Sequence, residues 1–217
     1  MAGTTVEDTG LVKQSFLAAD NHAGLSKTDA DREEMLRYVS DTMGQSKIVV
    51  FRHLAKGNEE QAQAANKEFE RTYAQLVADG NCSPIPGAED VITSLRSNGI
   101  KTALTTGFAK ETQSAIIDAL GWQSLADVVL CPSPGVRGRP YPDMPLTALM
   151  QTETDSVRSM IVLGDTSSDV ISGLRAGARA SIGVLTGAHN RAQLSEAGAT
   201  HILDSVADLP TLVAALR

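Results

Sequence analysis

Apolar positions recur at helical spacing through the first third of the chain and gather into short runs through the rest. In TDADREEMLRYVSDTMG, Met35, Leu36, Val39 and Met43 follow a 3.6-residue period. Thr28 or Asp29 is the candidate N-cap and Gly44 the stop. SKIVVFRHLAKG continues the pattern from a Ser46 cap to Gly57, and NEEQAQAANKEFERTYAQLVADG is a long stretch rich in Ala, Glu and Gln. The spacing predicts helix after helix from about Asp8 to Asp79, with the IVVF run the one ambiguous segment.

GNCSPIPG changes the pattern, with a linker near Ser83 to Gly87. Beyond it KTALTT, DVVLC, MIVLGD, ASIGVL and HIL read as strands, interleaved with helical KETQSAIIDALG, SDVISGLRAGA, NRAQLSEAG and DLPTLVAALR. Strand and helix alternating in this way predict a parallel sheet covered by helices. Such sheets do their chemistry beyond the carboxyl ends of the strands, so the residues that follow each apolar run are the candidates.

Composition narrows the function classes. The 217 residues carry a formal net charge of -7, which argues against a nucleic-acid or membrane-surface partner, since both are anionic. No apolar run approaches the ~18 residues of a membrane span, and no basic start leads into an apolar stretch. Cys82 and Cys131 lack metal-ligand spacing and are expected to be reduced thiols of a cytoplasmic protein.

Polar, turn-forming residues close several runs. KTALTTGF ends in Thr105, Thr106 and Gly107; MIVLGDTSSD ends in Gly164 and Asp165, with Asp169 four residues on. GVRGRPYPD, with Arg137 and Arg139, lies between DVVLC and MIVLGD. Two carboxylates so spaced on a loop entering a helix can hold a hard cation such as Mg2+. Hydroxyls and N–H groups at a helix start suit an anion, and an arginine fork matches phosphate oxygens. Singly, the aspartate reads as a helix cap, the Thr-Thr-Gly turn as structure and Arg139 as a surface charge; in this order at successive strand ends they describe a phosphoryl-binding site. The opening MAGTT has the composition of a further strand end.

The order of hydroxyl strand end, basic residue and GDTSSD resembles the haloacid dehalogenase superfamily of Mg2+-dependent phosphohydrolases. Met1-Ala2-Gly3-Thr4 is similar to the Asp-x-Ala-Gly-Thr motif of its phosphonoacetaldehyde hydrolase (phosphonatase) branch, without the leading Asp. Met43-Gly44-Gln45-Ser46-Lys47 matches the cap lysine of that branch. The resemblance implies a Rossmann-like parallel-sheet α/β core, residues 1–7 and 84–217, with an inserted all-helical cap, residues 8–83, and a first core strand expected before Met1. It implies a metal held by Ala2, Asp165 and Asp169; phosphate contacts from Gly3, Thr4, Thr105, Thr106, Gly107 and Arg139; and a substrate pocket including Met43 and Phe108. Lys47, Arg139 and Asp169 take catalytic roles, Lys47 by forming an imine with a small aldehyde phosphonate. The phosphoryl group passes to an Asp expected just before Met1. Relatives often pair through their caps, which implies a homodimer.

Two positions depart from the branch: Val50 stands where it has a His three residues after the lysine, and Phe108 where it has a Tyr. An ordinary phosphate-ester phosphatase is therefore an alternative reading. A third is an inactive or truncated, poorly stable chain, because no first-motif Asp is present.

Overall fold

The computed structural model describes residues 1–216. Four helices come first: α1 (Leu11–Ala23), α2 (Asp29–Asp41), α3 (Lys47–Leu54) and α4 (Glu59–Ala78). Thr28 caps α2, accepting the Asp31 N–H while the Asp31 side chain accepts from the Thr28 N–H. That helix ends at Asp41 rather than running to Gly44, and Ser46 precedes α3 without making a side-chain cap bond. The ambiguous IVVF run lies within α3, where Val50 and Phe51 are buried. The α1 and α4 helices pack along each other, and their Phe16, Phe69 and Tyr73 form an aromatic centre with Phe51 of α3, with successive ring centroids 4.8–6.1 Å apart.

The chain crosses between helices and sheet at two adjacent segments. The Glu7 N–H donates to Ser83 and the Ile85 N–H to Thr5, so the outgoing and returning strands of the connection run antiparallel. Then follow α5 (Ala88–Ser97), β1 (Ala103–Thr105), α6 (Lys110–Leu120), β2 (Val128–Leu130) and α7 (Asp143–Gln151). After them come β3 (Ile161–Gly164), α8 (Ser167–Arg175), β4 (Ala180–Val184), α9 (Arg191–Glu196), β5 (His201–Leu203) and α10 (Leu209–Ala215).

Every ladder is parallel, but the strands form two sheets. β1 pairs with β2, Leu104 opposite Val129; β4 lies between β3 and β5, Leu163 opposite Ile182 and Gly183 opposite Ile202. Between β1 and β3 runs a largely apolar slot of about 390 Å3. Both strands line it, with Ile92 and Leu95 of α5, Leu149 of α7 and Val213 of α10. The Met1 nitrogen donates to the Thr105 carbonyl at 3.0 Å at the slot's carboxyl-end mouth. Among the described residues no helix is long and apolar enough to cross a membrane, and both cysteines are free thiols.

Candidate active site

Asp165 follows the last residue of β3, where the parallel sheet delivers it to the carboxyl edge. Its Oδ1 accepts from the Thr4 hydroxyl at 2.8 Å and its Oδ2 from the Ala188 N–H at 3.0 Å. Burial, and next the charge of Asp169, raise its pKa above the usual carboxylate value. Gly187 is packed so tightly on this carboxylate that a methyl there would overlap it.

Thr166 caps α8 and Asp169 completes the capping box: Asp169 Oδ2 accepts the Thr166 N–H at 3.1 Å and its hydroxyl at 2.5 Å. The other oxygen, Oδ1, is ion-paired with the Arg139 guanidinium, both side chains being buried. Arg139 Nε has no partner among the described residues, an orphaned donor of the kind that an incoming anion would satisfy. Arg137, the other arginine of that loop, is instead exposed, paired with Asp143 and stacked on Tyr141.

Lys47 opens α3, so the first helical turn aims it inward, and only 5% of it is exposed. Rings surround the amine: Nζ lies 5.5 Å from the Phe16 centroid, 5.7 Å from Phe69 and 5.4 Å from Phe108. Burial lowers its pKa to about 8, helped by the Arg139 charge and opposed by Glu70, Asp8 and Asp165. Part of it is therefore neutral and nucleophilic near neutral pH.

These groups meet in a cleft of about 30 Å3 between helices and sheet. From the core come Ala2, Thr106, Gly107, Phe108, Arg139 and Asp165; from the helical side come Asp8, Val12, Met43, Gly44 and Lys47. Such a volume holds about one water. Gly44 (φ +83°) carries the seam: any side chain there would run into the Thr166 hydroxyl.

Three expected phosphate contacts lie elsewhere. Thr105 lines the slot, because strand alternation turns the next residue, Thr106, to the cleft. The Thr4 hydroxyl is spent on Asp165, and the Gly3 carbonyl accepts from the Thr186 hydroxyl at 2.7 Å. Val50 is buried in the helical core, so the third position after Lys47 offers no proton-transfer group.

Sequence reasoning missed the loop after β4. His189 is buried there; the Ser167 N–H donates to its Nδ1 at 2.9 Å, and its Nε2 lies 3.1 Å from the Ser40 carbonyl of α2. Its signal was its place: ASIGVL is also an apolar run with a polar loop at its carboxyl end.

Among the described residues no three His, Cys, Asp or Glu side chains gather as a metal cluster. The donor set nonetheless suits a hard cation. Asp165 and Asp169 are buried together, and the charge of Asp169 adds to burial in raising the pKa of Asp165, so a cation beside both carboxylates would favour its ionised form.

Comparison with known proteins agrees with this architecture. The family description "Haloacid dehalogenase-like hydrolase" matches residues 3–184. The chain is 28% identical over 181 residues to phosphonoacetaldehyde hydrolase of Bacillus cytotoxicus, covering 71% of this chain and 67% of that protein. It is 34% identical over 139 residues to the phosphonoacetaldehyde hydrolase of Bacillus cereus, covering 64% of this chain and 51% of that protein. Against several further curated relatives the matched stretch spans less than half of their length. A phosphonoacetaldehyde hydrolase-like protein from Oleispira antarctica superposes with a TM-score of 0.82 at 26% identity, over 99% of this chain and 89% of that one. A hydrolase from Pseudomonas syringae shares the fold at TM-score 0.85 and 19% identity, over 99% and 95% of the two chains.

Proposed function

Because the chain belongs to the haloacid dehalogenase-like hydrolases, we propose that it is a phosphonatase-like member cleaving the C–P bond of a small aldehyde phosphonate such as phosphonoacetaldehyde. The observation that carries this reading is Lys47, a buried amine with a lowered pKa that opens into the same cleft as Arg139 and Asp165. A plain ester phosphatase has no chemical need for such an amine. C–P cleavage does, because it leaves an electron pair on carbon. Lys47 attacks the aldehyde and water leaves, giving a cationic imine; as the C–P bond breaks, its electron pair moves into the imine as an enamine. Protonation and hydrolysis then free the aldehyde and restore the amine.

Arg139, with its unpartnered Nε, binds phosphoryl oxygens, and Thr106 and Gly107 flank them. Asp165, Asp169 and the Ala2 carbonyl would hold Mg2+, which when bound neutralises charge on the transferring group. The phosphoryl acceptor in this reading is an aspartate at the end of a strand filling the slot between β1 and β3, next to Met1. Trapping with borohydride in the presence of phosphonoacetaldehyde should add the reduced aldehyde's mass at Lys47; an unmodified lysine would overturn the reading.

The phosphate-ester reading draws on Val50 and Phe108, where the branch's His and Tyr are missing. One of the fold neighbours is described as a predicted phosphoglycolate phosphatase from Haemophilus somnus. Ester turnover retained in a Lys47→Arg variant would favour this second reading.

A further inference from the structure

Imine formation moves protons twice: nitrogen must lose them, and the carbinolamine hydroxyl must gain one to leave as water. The helical position that could carry a proton beside Lys47 is the buried Val50. The remaining ionisable side chains of the cleft are Asp8, Arg139 and Asp165. Arg139 is paired with Asp169, and both oxygens of Asp165 accept hydrogen bonds. Glu70 has its Oε1 on the Ala109 N–H at the start of α6 and its Oε2 buried without a partner among the described residues, but it does not line the cleft.

Asp8 combines a place in the cleft lining with a carboxylate oxygen left free. Its Oδ1 accepts the Gly10 and Val12 N–H groups at 3.2 and 3.4 Å, which fixes the carboxylate at the start of α1. Its Oδ2 has no hydrogen-bond partner among the described residues, and the side chain lines the cleft with Lys47. Its charge is also felt by the Lys47 amine.

We infer that Asp8 is the proton carrier for imine chemistry at Lys47, a catalytic role that rests on the Lys47 reading above. Asp8 removes a proton from the ammonium, and the free amine attacks the carbonyl carbon. The protonated Asp8 gives that proton to the new alkoxide, then takes one from the nitrogen. It returns that second proton to the hydroxyl as the C–O bond breaks and the nitrogen lone pair forms the C=N bond. Ammonium and aldehyde become iminium and water, and Asp8 ends as the carboxylate it began as.

The full chain suffices for the test, because trapping at Lys47 does not require phosphoryl transfer. The initial rate of borohydride trapping is measured against phosphonoacetaldehyde concentration for the unaltered chain, Asp8→Asn and Asp8→Glu. Asn keeps an oxygen for the Gly10 and Val12 N–H groups. The limiting rate should fall roughly a hundred-fold in Asp8→Asn with half-saturation little changed, and Asp8→Glu should regain part of it. Equal limiting rates for the unaltered chain and Asp8→Asn would overturn the role of Asp8 alone. Asp8→Glu as slow as Asp8→Asn would also overturn it, by showing that shape rather than a carboxylate matters. Absence of any adduct in the unaltered chain would overturn the Lys47 reading, and this inference with it.

Discussion

His189 reaches from the core to Ser40 at the end of α2, its Nε2 3.1 Å from the Ser40 carbonyl oxygen. The backbone N–H of Ser167 can only donate, so Nδ1 is the acceptor and the proton sits on Nε2, pointing at Ser40. One imidazole thus joins the loop carrying Asp165 to the helical layer above it. His189→Ala leaves the part-buried Ser167 N–H and the Ser40 carbonyl without their partner, at about 1 kcal/mol. Amide hydrogen exchange, read by mass spectrometry, should accelerate across residues 40–47 while α4 keeps its protection. Unchanged exchange there would mean that the contact does not hold the cleft closed.

Lys47 gives a pH dependence with a defined sign. Its folded pKa, about 8, lies below the ordinary 10.5, so between those values the unfolded chain binds more protons. Stability from this group therefore rises with pH across that window, and the full penalty stands below pH 8. Lys47→Met should stabilise the fold at pH 7 by an amount on the order of 3 kcal/mol, seen as a higher melting temperature, with the gain shrinking towards pH 10.5. Imine trapping should rise with pH and level off above about 8. Melts of both proteins at pH 7 and pH 10 check the first statement.

Gly187→Ala tests the packing around Asp165. Its methyl would overlap the carboxylate, and overpacking of this kind costs about 1–3 kcal/mol. Mg2+ should raise the melting temperature of the unaltered chain and fail to do so in Gly187→Ala, as in Asp165→Asn. Thermal melts with and without the ion measure this.

The slot between β1 and β3 predicts gain by addition. Extending Met1 backwards with an apolar strand of about five residues, ~3.3 Å each, that ends in Asp should fill it. Stability should rise by several kcal/mol at ~25 cal/mol per Å2 of buried apolar surface. Phosphate release from phosphonoacetaldehyde should accompany it, and an extension ending in Asn should give the stability without the turnover. An extended chain that melts no higher would show that the slot does not take a strand.

The strands were legible because Ile, Val and Leu runs such as MIVLG and ASIGV announce themselves locally, and Asp165 follows from its strand end by rule. Helix α5 was readable too, with Val91, Ile92 and Leu95 on one face and Arg96 in its last turn, but it was not singled out. Pro145 in its first turns masked α7. What could not be read was contact between distant positions. The Arg139–Asp169 pair spans 30 residues and the His189–Ser40 contact 149, and no periodicity encodes either. Thr105 and Thr106 are alike in type, and only the register of β1 decides which one meets the cleft.

The ring trio about Lys47 also discriminates between cations. Aromatic faces attract positive charge whichever group bears it, but an ammonium brought among them forfeits three strong hydrogen bonds to water, whereas an iminium forfeits one. The same enclosure that disfavours the free ammonium would therefore favour an imine at Lys47, were the proposed condensation to occur there. In the proposed reaction this would pull the equilibrium between bound aldehyde and imine toward the imine before any phosphoryl group moves.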